Sequence, residues 1–285
     1  ESHFVDHMEF RSERAKQKEF IINYIPTLSK NHAYTLLALY PCSTQPEGEA
    51  GFNTNIFYKI PKNTLLGGKY GARLNLNFAR TNSIEGGTSY LNDSSSHTSR
   101  PFKAIFIKNE ILYFSDLNLE INKKINKKVN LNLVIANQTY NKDLLEGHIL
   151  GDYGVLNSTI VITDVSYKIK KGHSVRMELQ MLNSKQLEDY SSHGGPYENG
   201  MEEPAEGNWS MGLLEYTISP HWFFTVQDMY NYGNEIEKKQ LHYLNLTAGF
   251  VKGANRFEIG YGKKRAGIFC VGGVCKLVPS SNGFS

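Results

Sequence analysis

Apolar and polar residues alternate along most of this chain. In residues 129–135 the odd positions are hydrophobic, whereas Asn130 and Asn132 occupy even ones. Residues 175–181 repeat the pattern, with hydrophobic side chains at every odd position and polar or charged ones between them. Successive side chains of a β-strand point to opposite faces, so this pattern predicts a sheet with one apolar and one polar face.

Twelve segments of this kind are predicted as antiparallel strands. Short turns follow the odd-numbered segments and longer connections follow the even-numbered ones, which is typical of an up-and-down barrel. The segments are residues 19–27, 33–42, 51–60, 70–83, 111–122, 128–141, 158–170, 173–187, 208–218, 221–232, 240–251 and 255–266.

The length of the strands favours a membrane over a soluble sandwich. Soluble strands usually run to about five or six residues, whereas most of those predicted here are ten residues or longer. The polar row is also too polar for a dry protein interior. We therefore predict an all-β, antiparallel, up-and-down transmembrane β-barrel, with lipid on its apolar face and water on its polar face. A soluble or fibrous β-protein is the alternative.

The two faces of the predicted barrel supply two groups of candidate residues. Trp209 and Trp222 stand near strand ends, where the aromatic girdles of membrane interfaces fall. Glu215 and Asp228 argue against the membrane interpretation. Each lies in the same alternating row as its apolar neighbours, so its charged side chain would face lipid. The residues predicted to line the lumen are Arg73, Asn75, Asn77, Glu120, Arg176, Glu178 and Glu258.

The direction of the strands bears on where the chain ends lie. If the short turns are periplasmic, the first strand runs towards the periplasm, the twelfth runs away from it, and both chain ends lie outside. Complete barrels keep both ends inside, so we expect the C-terminal part of a larger barrel. Residues 19–266 then form the barrel strands. Residues 1–18 are a polar opening segment or a remnant strand, and residues 267–285 are a cysteine-containing end segment or a further strand.

Composition narrows the possible partners. A net charge of +3 is too small to indicate nucleic-acid binding. The longest apolar runs, such as residues 33–40, fall short of the roughly 20 residues of a membrane helix. No signal peptide opens the chain, so we expect that it was removed or that the chain is an excised piece.

Three cysteines and one acidic loop are candidates for covalent or metal chemistry. Cys270 and Cys275 could close a disulfide loop in an oxidising envelope or be free thiols in a turn, and Cys42 is left over. The loop at residues 188–207 could bind Ca²⁺ or Mg²⁺ through carboxylates, although a solvated acidic loop is the alternative. Its weak candidate ligands are Glu198, Glu202, Glu203 and Glu206.

No arrangement of residues predicts catalysis. His97 and His193 stand beside serines, but neither lies in the Gly-x-Ser-x-Gly elbow of a serine hydrolase. The Gly67-Gly68 pair lacks the context of a phosphate-binding loop and indicates a turn. We therefore expect a non-enzymatic protein, with no catalytic residue and no cofactor.

Several motifs in the second half of the chain resemble an uncharacterised family of Bacteroidetes outer-membrane β-barrel proteins, which is known as a domain of unknown function. The resemblance extends upstream through Tyr58-Lys59-Ile60-Pro61 and Gly67-Gly68-Lys69-Tyr70-Gly71. It implies a fold and a location but no catalytic residues. The motifs are Gly207-Asn208-Trp209-Ser210, Leu213-Leu214-Glu215-Tyr216, Ser219-Pro220-His221-Trp222-Phe223-Phe224, Asp228-Met229-Tyr230-Asn231-Tyr232-Gly233, Gly260-Tyr261-Gly262, Phe269-Cys270-Val271-Gly272-Gly273-Val274-Cys275 and Val278-Pro279.

These observations lead to two functional hypotheses for a protein of the outer membrane of a Gram-negative bacterium. In the first, the barrel is a channel or transport pore whose polar row lines an aqueous lumen. In the second, it is a plugged, non-enzymatic subunit or scaffold of a secretion or assembly complex in the envelope. The expected partners are outer-membrane lipid and lipopolysaccharide and other envelope proteins, with no nucleic acid.

Overall fold

The computed structural model describes residues 2–3, 28–30, 32–42, 49–83, 111–146, 154–186, 207–234, 237–265, 267–271 and 274–284. Within them the protein is an all-β, antiparallel, up-and-down sheet. A short helix, α1 (Lys142–Glu146), follows the fifth strand, and a 3₁₀ turn covers Glu237–Lys239. No helix of the described residues is long and apolar enough to cross a membrane.

Most of the strands belong to one continuous sheet. The strands are β1 (Ser2–His3), β2 (Glu49–Ile60), β3 (Ala72–Ser83), β4 (Leu112–Lys124), β5 (Val129–Asn141), β6 (Val155–Lys170), β7 (His173–Gln186), β8 (Trp209–Ile218), β9 (Trp222–Tyr230), β10 (Asn245–Lys252), β11 (Asn255–Lys264), β12 (Gly267–Val271), β13 (Val274–Val278) and β14 (Ser281–Phe284). Twelve of them form the sheet in the order β1 to β11 followed by β14, and β12 pairs with β13.

The strands β2 to β11 confirm the prediction for residues 51–60 and for those from 70 onward, with ends that differ by a few residues. Tight turns follow β4, β6, β8 and β10, and longer connections follow β3, β5, β7 and β9, as predicted. The predicted strand at residues 19–27 lies outside the described residues. In the described part of the chain no ladder joins β1 to β14, so the sheet is open there.

Exposed apolar side chains lie on one side of the sheet, and buried side chains, many of them polar, lie on the other. On β7 the side chains of Met177, Leu179 and Met181 are 44%, 51% and 52% exposed, whereas the alternating Glu178 and Gln180 are 4% and 1% exposed. Soluble proteins place these two rows the other way round. We call the two sides of the sheet the outward face and the inward face.

The residues of strand β8 face the opposite sides of the sheet from those that the sequence suggested. Glu215 was expected to face lipid, but it lies on the inward face, buried and directly opposite Arg176 of β7. Asp228 of β9 does lie on the outward face, near the end of its strand, where its Oδ2 is 2.7 Å from His242 Nδ1. Of the two acidic residues, Glu215 therefore lies on the inward face and Asp228 on the outward face.

The prediction of a strand at residues 33–42 is wrong. Residues 34–40 form a compact turn in which the Ala38 amide donates to the Tyr34 carbonyl at 2.9 Å. Leu36 and Leu37 are buried against the inward face of the sheet. We call residues 28–42, of which 28–30 and 32–42 are described, the interior segment.

An apolar core joins the interior segment to the half of the sheet where the longer connections lie. Leu36, Leu37 and Tyr40 belong to this core, together with inward residues near the matching ends of β4 to β9. Those strand residues are Phe114, Tyr140, Ile160, Leu182, Trp209, Met211 and Met229. The inward face is therefore apolar in one half and polar in the half nearer the short turns.

The end of the chain forms a hairpin and one further strand. Strands β12 and β13 pair with each other, and their register places Cys270 directly opposite Cys275. Strand β14 pairs with β11 and extends the sheet. Residues 267–285, expected as an end segment or one strand, thus hold three short strands.

Candidate functional site

Charged side chains converge on the inward face in the half nearer the short turns. Asp164 of β6 lies opposite Glu178 of β7, and Arg176 of β7 lies opposite Glu215 of β8. Strand pairing alone would bring these carboxylates together, and like charges so close repel. The guanidinium of Arg176 stands among them and offsets that repulsion.

Arg176 is held by a fork of hydrogen bonds. Its Nε donates to both Asp164 carboxylate oxygens at 3.1 Å, and its Nη2 lies 3.0 Å from Asp164 Oδ2. The same Nη2 donates to Glu178, which also accepts from Gln180 Nε2. A bidentate arginine–carboxylate pair fixes orientation as well as charge, so these groups form a rigid unit.

Tyr34 attaches the interior segment to this unit. Its hydroxyl donates to Asp164 Oδ2 at 3.2 Å and accepts from Asn132 Nδ2 at 2.7 Å. Burial is the main reason that the pKa of the Tyr34 phenol lies above its ordinary value, and the charges of Asp164 and Glu178 add to the effect. The phenol therefore stays protonated and keeps its role as a donor.

Two glutamines of the sheet bind the backbone of the interior segment. Gln180 Oε1 accepts from the Leu36 amide at 2.8 Å, and Gln138 Nε2 donates to the Leu37 carbonyl at 3.1 Å. Buried backbone groups need such partners because an unsatisfied one costs about 1–3 kcal/mol. The two bonds therefore set the position of the segment across β5 and β7.

Two basic residues of the interior segment face acidic residues of β4. His32 Nε2 lies 2.5 Å from Asp116 Oδ2, and Lys30 Nζ lies 3.6 Å from Glu120 Oε2. Together with Tyr34, these contacts tie the segment to β4, β5 and β6.

A cavity of about 270 Å³ lies between the interior segment and the sheet. Both signs of charge line it, since Lys30, His32 and Arg176 stand near Glu120. Asn118 also lines the cavity, and its Nδ2 donates to Asp116 Oδ2 and to Asn77 Oδ1, each at 3.1 Å. The site can bind a polar or charged group.

A ladder of asparagines continues the polar row towards β2. Asn77 Nδ2 donates to Asn53 Oδ1 at 2.7 Å and to Asn55 Oδ1 at 2.9 Å. Such cross-strand amide pairs satisfy buried polar groups without adding charge. They connect the cavity wall at Asn118 with the second strand of the sheet.

All the residues predicted to line a lumen lie on the inward rows, but they do not form one site. Asn77, Glu120, Arg176 and Glu178 belong to the network around the cavity or its wall. Arg73 lies near a strand end, where it donates to Asn122 Oδ1 at 3.1 Å, and Asn75 lies opposite Glu120. Glu258 is on β11 and pairs with Arg256 at 3.0 Å.

The two tryptophans occupy opposite faces. Trp222 is 46% exposed on the outward face, beside Phe224 and Phe250. Trp209, which was expected at an interfacial girdle, is 0% exposed and lies on the inward face against the Tyr243 ring. This placement corrects the expectation for Trp209, because the inward parity of β8 directs its ring into the core.

The remaining candidates are the cysteines and the acidic loop. The side chains of Cys270 and Cys275 are outside the description, so their disulfide stays a prediction. Cys42 is buried and is not part of a disulfide. The acidic candidates Glu198, Glu202, Glu203 and Glu206 lie outside the described residues, and among the residues that are described no cluster of His, Cys, Asp and Glu could hold a metal ion.

The interior segment is the part of the site that sequence reasoning missed. Lys30, His32 and Tyr34 carry no local motif, and the contact from Tyr34 to Asp164 spans 130 residues of the chain. The one signal was the unbroken apolar run at residues 36–40. Such a run fits a fully buried segment better than a strand with one wet face.

Comparison with known families places the chain in one of them. It belongs to a family of unknown function, DUF6029, whose model matches residues 1–285. No curated protein and no solved structure matches the chain.

Proposed function

We propose that this protein is an integral β-barrel protein of the outer membrane of a Gram-negative bacterium. The supporting observation is a belt of outward apolar side chains that lie directly opposite one another from strand to strand. One run crosses β6 to β14 as Val165, Met177, Leu214, Val226, Leu246, Tyr261 and Phe284. A second crosses β2 to β7 as Ile56, Leu76, Leu119, Ile135, Val161 and Met181.

Hydrocarbon is the solvent that suits such a belt. The largest apolar patch of a soluble monomer is a limited area of about 300–600 Å². The belt formed by these two runs instead crosses the sheet from β2 to β14. Closure into a barrel is part of the proposal, because unpaired backbone groups at a sheet edge cost several kcal/mol in lipid.

The filled inward face bears on the choice between pore and scaffold. The interior segment and the apolar core occupy the inward side of β4 to β9. For the transport pore that we propose, this filling means that the interior segment closes the lumen. The same filling equally suits the second candidate, a plugged scaffold subunit of an envelope complex.

Tryptophan fluorescence tests the membrane proposal. The chain has two tryptophans, so W209F leaves Trp222 alone and W222F leaves Trp209 alone. In vesicles of brominated phosphatidylcholine we expect strong quenching of Trp222 and little quenching of Trp209. Acrylamide, a water-soluble quencher, serves as the control for the access of water to each tryptophan.

Equal, weak quenching of both tryptophans by the brominated lipid would rule out lipid at the outward face. If W209F fails to fold because a fully buried ring is lost, the difference between the wild type and W222F still reports on Trp222. A protein that stays monomeric without detergent would also contradict the proposal.

A further inference from the structure

The end of the sheet that carries the short turns is strongly basic. Residues 59–73, 122–130 and 167–174 cover the turns that follow β2, β4 and β6, and we call them the basic surface. They contain eleven lysines and arginines but no aspartate or glutamate, although the whole chain is nearly balanced, with 31 basic and 28 acidic residues. The fold therefore segregates charge at this end. The eleven are Lys59, Lys62, Lys69, Arg73, Lys123, Lys124, Lys127, Lys128, Lys168, Lys170 and Lys171.

Hydrogen bonds join the three turns of the basic surface to one another. Lys123 Nζ donates to the Leu66 carbonyl at 2.9 Å, which connects the turns after β4 and β2. The Lys168 amide donates to the Lys128 carbonyl at 2.8 Å, which connects the turns after β6 and β4. The three turns therefore present one continuous surface rather than three separate loops.

No carboxylate of the described residues neutralises the basic surface. Ten of its eleven basic side chains are exposed, and within the part of the chain that the structure describes none of the eleven takes part in an ion pair. Lys59 and Arg73 even lie directly opposite each other on β2 and β3. Like charges in this position repel, so an anionic partner would stabilise the arrangement.

Much of the positive charge lies away from the proposed lipid. Arg73 is on an inward row, and Lys124 and Lys168 stand four residues beyond the inward residues Glu120 and Asp164 on their strands. Side chains an even number of residues apart share a face of a strand, so these cations are also inward. A bilayer around the outward face lies on the other side of the sheet. The position of these charges therefore favours a partner in water over lipid headgroups.

Two leucines project from the basic surface. Leu65 and Leu66, in the turn after β2, are 100% and 69% exposed. The turn is closed by its own hydrogen bonds, because the Asn63 amide donates to the Gly68 carbonyl at 2.6 Å and the Gly68 amide donates to the Thr64 carbonyl at 2.8 Å. A turn that is already ordered loses little conformational freedom on binding. Burial of the two leucines would thus favour a partner that carries apolar side chains.

We propose that the basic surface is a docking site for an acidic segment of another protein, a segment that also carries apolar side chains. Its carboxylates would lie against the lysines, and its apolar side chains would lie against Leu65 and Leu66. Complementary charge of this kind speeds association and selects partners. The proposal names the partner class for the scaffold subunit of an envelope complex and rests on that function for its biological role, although binding itself requires no membrane.

Binding of a labelled acidic copolymer tests the proposal. The probe is a fluorescein-labelled random copolymer of glutamate and tyrosine, and its anisotropy is followed as the purified protein is added in a neutral detergent. We expect saturable binding at low salt that weakens steeply at high salt, because salt screens exposed charges. Dextran sulfate, a polyanion without apolar side chains, is the matched probe and should bind more weakly.

The measurement separates this proposal from the membrane proposal because it uses no bilayer. Absence of saturable binding to the copolymer would overturn the docking site and leave the membrane proposal standing. Intact binding in a protein whose Trp222 is not quenched by brominated lipid would do the reverse.

Paired lysine substitutions locate the binding surface. Lys62→Gln combined with Lys127→Gln removes two exposed charges from different turns and should weaken binding of the copolymer about two- to thirtyfold. Lys185→Gln combined with Lys238→Gln is the matched control, because both lysines are exposed in the half of the sheet with the longer connections. This control should change the affinity little.

A leucine variant separates a protein partner from a plain polyanion. Leu65→Ser combined with Leu66→Ser should weaken binding of the copolymer and leave binding of dextran sulfate unchanged. Both leucines are exposed, so the variant loses little packing and should fold as the wild type does.

Three results would overturn the proposal: equal effects of the two lysine pairs, an unchanged affinity of the leucine variant for the copolymer, or dextran sulfate that binds as tightly as the copolymer. Displacement of the copolymer by phosphatidylglycerol added to the micelles would also overturn it, in favour of lipid headgroups.

Discussion

At the scale of single residues, burial gives some positions an environment that the same residues would not have on a surface. Cys42 is a buried thiol and Gly249 lies under an aromatic ring. Both positions follow from contacts between distant parts of the chain. Their types could be read from the sequence, but their environments could not.

The thiol of Cys42 should be unreactive in the folded protein. Burial, and then the charge of Glu49, raises the pKa of the thiol from 9.0 to about 12. Since only the thiolate is alkylated, iodoacetamide at pH 8.5 should modify folded Cys42 about a thousandfold more slowly than a normal thiol. Mass spectrometry of the Cys42 peptide, with and without urea, measures this ratio, and equal rates would contradict the burial.

The sign of the linked stability follows from the same shift. The folded pKa of Cys42 is raised, so the neutral thiol is the form that the fold favours. Its contribution to stability is complete below about pH 9 and is lost as the pH rises towards 12.

Gly249 should not tolerate a side chain. A Cβ at this position would lie 2.0 Å from Phe223 Cζ, and the Phe223 ring is itself held under Arg256, whose Cζ is 4.4 Å from the ring centroid. Overpacking of this kind costs about 1–3 kcal/mol, so Gly249→Ala should lower the urea midpoint in micelles. Gly212→Ala is the matched control, because its Cβ would meet Leu179 at 3.8 Å and should leave the midpoint almost unchanged.

At the scale of elements, alternation made β2 to β7 predictable. It is strict over residues 175–181 of β7, where period two gives both the element and its face, and less complete on β6, where Ile160 and Ile162 lie on the inward row and Val161 on the outward one. Strand β8 has apolar residues on both rows, with Met211 and Leu213 inward and Leu214 outward, so periodicity gave the strand but not its face. The interior segment has no alternation because it is buried on more than one side, and its strand prediction failed for that reason.

The candidate site was predictable to the same extent. Arg176 and Glu178 stood out as charges in a polar row of β7. Their partner Glu215 was assigned to the wrong face, and Tyr34 was missed, because register across strands and long-range contacts leave no local trace in a sequence.

The outward face should show a dependence on depth if lipid surrounds it. Leu179 lies in the middle of β7, and Ile169 lies near the turn after β6, both exposed on the outward face. An arginine costs about 2–4 kcal/mol at the midplane of a bilayer and about 0–1 kcal/mol near its interface. Leu179→Arg should therefore reduce the free energy of unfolding in vesicles far more than Ile169→Arg, as followed by urea titration. Two small and equal effects would indicate water on this face.

At the scale of the whole molecule, the interior segment covers the inward side of β4 to β9. The apolar core lies in the half with the longer connections, and the charged network lies in the half with the short turns. In the proposed closed barrel, a path along the inward face of β4 to β9 would require displacement of the interior segment, which holds Leu36 and Tyr34. Whether that displacement opens a path distinguishes a pore from a scaffold.

Leu36→Asp provides that displacement. Leu36 is 0% exposed in the apolar core, and an unpaired charge in such a place costs several kcal/mol, so the interior segment should leave its site. In planar bilayers we expect the wild type to be almost silent and Leu36→Asp to show stepwise currents. Tyr34→Phe, which removes one hydroxyl but keeps the ring, should resemble the wild type. Silence of Leu36→Asp, in a preparation whose Trp222 is still quenched by brominated lipid, would exclude the pore and favour the scaffold, because the lumen would then stay closed without its plug.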